Sequence, residues 1–158
     1  MMLIGEAPGY RGCRLSGIPF VSPALLDEEE VTPGLFGKLR GFRTADEWPE
    51  LRREASATIV WTYLRGVSRL PLLWNAFPFH PHHPNRPQSN RPPTRAELVW
   101  GRPFLHQLHN LFGRPQLIAV GKKAAHSLTI MDLPHHTVRH PSHGGKRAFI
   151  ASLRALGL

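Results

Sequence analysis

Leu117-Ile118-Ala119-Val120-Gly121-Lys122-Lys123-Ala124-Ala125-His126-Ser127-Leu128 is the stretch that decides the fold. Its first four residues are an apolar run of strand length closed by a glycine, and the alanine-rich run behind that glycine reads as a helix entered through a tight turn. A strand passing directly into a helix is the unit of a parallel sheet, because parallel neighbours need a crossover connection.

Working outward, the pattern recurs. Met2-Leu3-Ile4 is a short apolar run closed by Gly5-Glu6-Ala7-Pro8-Gly9, which predicts a buried strand with Glu6 at its C-terminal end. Leu70-Pro71-Leu72-Leu73-Trp74-Asn75-Ala76-Phe77 has strand length, carries Asn75 near its end, and runs into a proline-rich segment from His80 to Pro93. Thr137-Val138-Arg139 is a weaker strand candidate that leads into His140-Pro141-Ser142-His143-Gly144-Gly145.

A helix is expected from Ser56 to Leu64, where a hydroxyl can cap the start, although the β-branched residues keep a strand reading open. Thr94-Arg95-Ala96-Glu97 matches a capping box, with Leu98, Leu105, Leu108 and Leu111 continuing a helical face that Pro103 should break or kink. Phe149, Ile150, Leu153 and Leu156 mark an amphipathic closing helix. Glycines and prolines between residues 10 and 43 predict loops with short helical turns. The expectation is α/β: a three-layer α/β/α sandwich with a central, mostly parallel four-stranded sheet, in one domain spanning 1–158. Such sheets take ligands beyond their strand C-termini, where the loops after Gly5, Asn75 and Arg139 gather. No internal repeat is present, and the biased segment 78–93 is long enough for a functional loop.

Composition excludes several classes. At 158 residues, 41% hydrophobic and 20% charged, the chain suits a soluble globular protein, and no apolar run approaches the roughly 20 residues that cross a bilayer. Twenty Lys+Arg against eleven Asp+Glu leave a formal charge of +9, a field that concentrates polyanions and puts nucleic acid first among partners. The single cysteine, Cys13, forms no intrachain disulfide and no four-cysteine zinc or iron–sulfur site. The start Met1-Met2-Leu3-Ile4-Gly5 lacks the charged opening and long apolar core of a secretion signal, so a reducing cytoplasm is the expected compartment.

Three ordered motifs then carry a resemblance. Gly5-Glu6-Ala7-Pro8-Gly9 followed by Ser16-Gly17-Ile18-Pro19-Phe20, then Trp74-Asn75-Ala76-Phe77-Pro78, then His140-Pro141-Ser142, resemble the motifs of the uracil-DNA glycosylase superfamily, in particular its bacterial and archaeal branch. Val120-Gly121-Lys122-Lys123-Ala124-Ala125 is similar to the family's penultimate strand and helix start, so the resemblance spans nearly the whole chain.

The resemblance implies a base-excision repair enzyme that hydrolyses the N-glycosidic bond of a deaminated base, uracil first, flipped out of DNA. Phe20 would stack on the base. Asn75, with one donor and one acceptor, complements the O4 and N3–H edge of uracil. Glu6 would position water and offset positive charge on the sugar, and His140 would donate to uracil O2 as charge accumulates. Gly5, Ala7, Pro8, Gly9 and Tyr10 would bring backbone N–H groups to base or phosphate. Ser142 would grip a phosphate, and His143, Lys122, Lys123, Arg139, Lys146 and Arg147 would extend the positive surface. No redox, nucleotide or metal cofactor is expected, and a monomer is the expected state.

The chain also departs from the pattern. Cys13 alone cannot supply the branch's four-cysteine cluster, which points to a cluster-free subgroup. Tyr10-Arg11-Gly12 replaces acidic residues, Ala7 stands where an aspartate or asparagine occurs elsewhere, and His143 follows Ser142 where a proline is usual. The chain opens directly on its first strand, without the helical material often found before it.

Two rival readings follow. One is a binding module of the same fold without base excision. The other is a zinc-dependent hydrolase built from His80, His82 and His83 with His135, His136, His140 and His143, should the two loops converge.

Overall fold

The structure, a computed structural model, describes residues 1–27, 35–36, 40–51 and 53–158. Its strands are β1 (Met2–Gly5), β2 (Leu72–Asn75), β3 (Leu117–Val120) and β4 (His136–Val138). The helices are α1 (Cys13–Ser16), α2 (Pro23–Asp27), α3 (Ala55–Leu64), α4 (Arg95–Leu111), α5 (Lys122–Ile130) and α6 (Lys146–Ala155). The sheet order is β2-β1-β3-β4, and every pairing is parallel. The α/β/α sandwich is therefore borne out, and among the described residues the sheet has no antiparallel strand.

Alternation along the two central strands makes the layers. Leu3, Ile118 and Val120 point to one face and pack with Leu26 of α2, Val60, Trp61 and Leu64 of α3, and Phe149 and Leu153 of α6. Met2, Ile4, Leu117 and Ala119 point to the other and pack with Leu98 and Leu105 of α4 and Ala124 and Leu128 of α5. A central strand covered on both faces has no polar side to show, which is why β1 and β3 read as unbroken apolar runs.

The helix reading of Ser56–Leu64 holds. Ala57, Val60, Trp61 and Leu64 are all buried, and that spacing of three, one and three is one face of a helix. The capping box is formed: Glu97 N–H donates to Thr94 Oγ1 at 3.2 Å and Thr94 N–H donates to Glu97 Oε2 at 2.7 Å.

Two expectations for α4 need correction. Of the break or kink expected at Pro103, the break does not occur: the helix runs through it to Leu111. Pro103 and Val99, whose carbonyl loses its helical donor, both lie on the exposed side, where an orphaned carbonyl is open to solvent and costs less than in the core. Leu111 does not share the buried face and is 77% exposed. At about 100° per residue, Leu105, Leu108 and Leu111 drift steadily away from Leu98, so the face fades after Leu108.

The short turns expected between 10 and 43 are α1 and α2; residues 28–34 and 37–39 lie outside the described ones. The 78–93 segment is a loop with one isolated bridge, His83 to Arg86. Among the described residues no helix is long and apolar enough to cross a membrane.

Candidate active site

Because all four strands run the same way, their C-terminal ends open on one edge of the sheet. A cavity of about 750 Å³ lies there, within the size range of small-molecule and base pockets. Gly5 and Asn75 are register partners, so the turns after β1 and β2 enter it side by side. The turn after β3 brings Gly121, Lys122 and Lys123, and the loop after β4 brings Arg139, His140, Ser142 and His143.

Asn75 forms the floor. It is 5% exposed and its Nδ2 donates to Cys13 Sγ at 3.5 Å. A side chain at position 5 would collide with Asn75 Oδ1 and press on Phe20 Cζ at 3.1 Å, so glycine there is what lets amide and ring share the pocket. Phe20 itself stands at φ 59°, a left-handed conformation that costs a non-glycine residue on the order of 1 kcal/mol. Ser16 holds that turn: its Oγ donates to Val21 O at 2.7 Å and accepts from Ile18 N–H at 3.2 Å. Strain kept in place to aim an aromatic ring at a cavity is a functional signature.

Glu6 is half-buried at the cavity wall, with Oε2 3.9 Å from Lys123 Nζ. Burial pushes its carboxyl up from the ordinary 4.5, and the Lys123 ammonium partly offsets this. His140 faces the cavity from the β4 loop. Its Nδ1 lies 2.7 Å from Ser142 Oγ and 3.3 Å from Ser142 N. A backbone N–H only donates, so Nδ1 is the acceptor and the ring's proton resides on Nε2. Burial, followed by the charges of His143, Arg139 and Lys123, lowers the His140 pKa from 6.5 and keeps the ring neutral. Gly121, at φ 91°, lets the chain pass His140, whose Cβ would stand 2.9 Å from any side chain placed there.

The structure thus gathers Gly5, Glu6, Ala7, Pro8, Gly9, Phe20, Asn75, Lys122, His140, Ser142 and His143 around one cavity. Tyr10, Lys146 and Arg147 are not among its lining residues. Tyr10 N–H, expected to face a ligand, is taken by Asn90 Oδ1 at 3.1 Å, and its hydroxyl accepts from Arg11 Nε at 2.9 Å. Lys146 and Arg147 start α6 and are exposed. Ser142, expected at a phosphate, has its hydroxyl turned inward to His140.

The histidine groups do not converge. His80 and His82 line a separate depression with Arg14 and Trp48, whereas His140 and His143 line the main cavity. Among the described residues no three His, Cys, Asp or Glu are grouped as metal ligands, so the zinc reading loses its geometric basis. His80 instead places its ring between Pro8 O, 2.8 Å away, and Pro87 O, 3.0 Å away, tying the proline-rich loop to the β1 turn.

Sequence reasoning passed over Glu54, Asn90 and Arg91, which line the same cavity. Glu54 immediately precedes α3, and burial raises its carboxyl pKa. Arg91 is held by Glu97 through two 2.7 Å hydrogen bonds and donates from Nε to His82 O at 2.9 Å, so it staples the loop to the start of α4. Asn90 and Arg91 fall in the 78–93 segment expected to be a functional loop, but nothing local singles them or Glu54 out; only the fold brings them to the strand ends.

The parallel strands thus carry a cavity at their C-terminal edge, walled by an aromatic ring, an amide, a carboxylate and a neutral imidazole, in the place where open α/β sheets take ligands. The sequence matches the Uracil DNA glycosylase superfamily over residues 1–156, and the chain belongs to that family. The match covers nearly the whole chain and brings with it glycosylase-type DNA repair, with DNA as the partner. No curated protein is a significant match.

Proposed function

We propose that this chain hydrolyses the N-glycosidic bond of a deaminated base, uracil first, extruded from DNA. The observation that supports the reading best is the convergence of Glu6, Phe20, Asn75 and His140 on one cavity from loops far apart in sequence.

The chemistry follows from what each group can offer. The extruded ring stacks on Phe20 and presents O4 and N3–H to the amide of Asn75. As the C1′–N1 bond breaks, its electron pair leaves with the base and positive charge grows on the sugar. His140 donates its Nε2 proton in a hydrogen bond to the base O2, where negative charge accumulates, without giving the proton up. Glu6, ionised, orients water toward C1′ and offsets the sugar's charge; the water oxygen bonds to C1′ and its proton passes to the carboxylate. Lys122, Arg139 and His143 attract phosphates at the rim, and Ser142 acts by fixing the His140 ring. Neither metal nor redox cofactor enters this scheme.

Uracil-containing single- and double-stranded oligonucleotides, treated with the protein and then with alkali, test the reading. Strand breaks at the uracil position are expected, and Glu6→Ala or Asn75→Ala reduces them. No break with any deaminated base, together with steeply salt-dependent DNA binding, assigns the chain to the binding module instead.

A further inference from the structure

Phe79, Trp100 and Phe104 form an aromatic patch on the outside of the molecule that neither the core nor the cavity uses. They are 46%, 56% and 41% exposed, although rings of this size ordinarily bury most of their area. Ring centroids lie 4.9 Å apart for Phe79 and Trp100, 5.7 Å for Trp100 and Phe104, and 6.0 Å for Phe79 and Phe104. The planes meet at 34°, 69° and 79°, so no ring is sealed by a parallel partner. Buried Phe77 seats the patch, edge-on to Phe79 at 5.7 Å and tilted against Trp100 at 6.2 Å. Gly101 makes this seat possible: a Cβ there would stand 3.1 Å from Phe77 Cδ2 and 3.2 Å from both Ala76 O and Pro78 Cδ. α4 therefore presses on the turn after β2 and sets Trp100 beside Phe79. Rings fixed in place and left uncovered mark a binding surface.

Charge and position decide among its occupants. Between 78 and 116 the cations are Arg86, Arg91, Arg95, Arg102 and Arg114, against Glu97 as the one acid, and Glu97 is already held by Arg91. Arg95 and Arg102 are exposed on the helix that carries Trp100 and Phe104. A second copy docking through the same face would set these arginines against each other, whereas a polyanion gains from them. The depression lined by His80 and His82 shares Pro8 and Cys13 with the main cavity and reaches Phe79, so the patch continues the surface at which DNA is the partner. Aromatic faces attract bases whose own faces are open, which is the state of an unpaired strand; in a duplex they are already stacked. We propose that Phe79, Trp100 and Phe104, flanked by Arg95 and Arg102, are a stacking platform for unpaired bases on the strand that carries the extruded nucleotide. The platform gives the protein a preference for single-stranded over double-stranded DNA. This inference rests on the glycosylase reading for the nucleotide in the cavity, not for the stacking itself.

Labelled oligothymidylate of roughly 20 nucleotides, longer than one single-strand site, and a duplex of the same length are the probes, read by fluorescence anisotropy at one salt concentration. Wild type is expected to bind the single strand at least about tenfold more tightly than the duplex. Trp100→Leu weakens single-strand binding about tenfold, the loss of one stacked base, and duplex binding less than about threefold. Trp100→Phe keeps a ring face and most of the affinity, which separates stacking from apolar contact alone. Phe104→Leu makes the same comparison if Trp100→Leu folds poorly. Arg65→Ala, which removes an exposed charge beside α3 on the opposite face of the sheet, changes either affinity less than about threefold. Equal wild-type affinity for strand and duplex, or an unchanged single-strand affinity in Trp100→Leu, overturns the proposal. So does a dimer in sedimentation that Trp100→Leu dissolves without changing DNA affinity, or Trp100-dependent binding to anionic phospholipid vesicles without such binding to the strand. Those two results assign the patch to a second copy or to a lipid surface. Trp100-dependent strand binding without release of uracil removes the glycosylase reading and leaves the platform standing. Release of uracil from single strands at a half-saturating concentration that Trp100→Leu does not alter does the reverse.

Discussion

Ser142 gives both its hydroxyl, at 2.7 Å, and its backbone N–H, at 3.3 Å, to Nδ1 of His140, which leaves Nε2 as the ring's only donor. The relationship is local in sequence but useful only because β4 ends beside β3 and turns the ring into the cavity. Ser142→Ala removes the hydroxyl and lets the ring exchange tautomers. Single-turnover excision is expected to fall about tenfold, with imidazole nitrogen chemical shifts reporting a mixture of tautomers in place of the Nε2–H form. Wild-type rate with a mixed tautomer would remove His140's donor role.

The pH dependence follows from two opposed shifts. Glu6 is raised above 4.5 by burial, so its carboxylate is lost on acidification earlier than an exposed glutamate's; His140 is lowered below 6.5, so its neutral ring survives to lower pH than a free histidine's. Both groups are in their working forms at neutral pH, and excision should fall on the acid side of 6.5 as each gains a proton. Glu6→Gln removes one of the two ionisations, so the residual activity should follow a single titration. A pH profile of single-turnover rates checks this, and an acid limb centred above 6.5 would contradict it.

Gly5→Ala tests the floor of the pocket. The added methyl meets Asn75 Oδ1 and the Phe20 ring, so the amide must rotate away from the base edge. Excision is expected to drop by about a hundredfold, with a loss of stability of about 1–3 kcal/mol from overpacking in denaturant unfolding. Full activity in Gly5→Ala would mean that Asn75 does not read the base.

The cap of α4 is expected to govern acid stability. Glu97 is lowered from 4.5 to about 2, first by its hydrogen bonds from Arg91, with the Thr94 backbone and hydroxyl adding to the effect and burial opposing it. A depressed carboxyl stabilises the fold above about 4.5 and stops doing so as pH falls through about 2. Urea midpoints of wild type and Glu97→Gln should therefore differ at pH 7 and converge toward pH 2. Thr94→Ala is expected to cost about 1 kcal/mol at neutral pH.

Cys13 should be nearly inert. Burial, then the charge of Glu54, push its thiol from 9.0 to about 12, against the hydrogen bond from Asn75. Well below both values, three units mean about a thousandfold less thiolate than in the unfolded chain. Iodoacetamide labelling at pH 8 should be slower by at least that factor in the folded protein, and rapid labelling would show that this corner opens.

Several elements were legible because their physics is short-range. The apolar runs of β1 and β3, the Thr94 and Glu97 cap, and the placement of Glu6, Asn75 and His140 at or just past strand ends each follow from a few neighbouring residues. The break at Pro103 and the burial of Leu111 were misread for the opposite reason. Whether a proline interrupts a helix depends on whether its orphaned carbonyl faces water, and whether a leucine is buried depends on what packs against that turn. Glu54, Asn90 and Arg91 went unseen because their meaning lies in neighbours far along the chain, as in the bond between Tyr10 and Asn90.

The linear order of residues determined, by itself, a parallel α/β sheet and the three loops that lie at its productive edge, since strand length, turn chemistry and helix capping are set within a few residues. Only the tertiary structure decided that Asn75's amide turns its nitrogen to Cys13, that Ser142 serves His140, that the histidine loops stay apart, and that a second carboxylate joins the cavity. Those outcomes depend on which side chains meet across the sheet and on how far burial shifts their charge, and neither quantity exists until the chain has closed on itself.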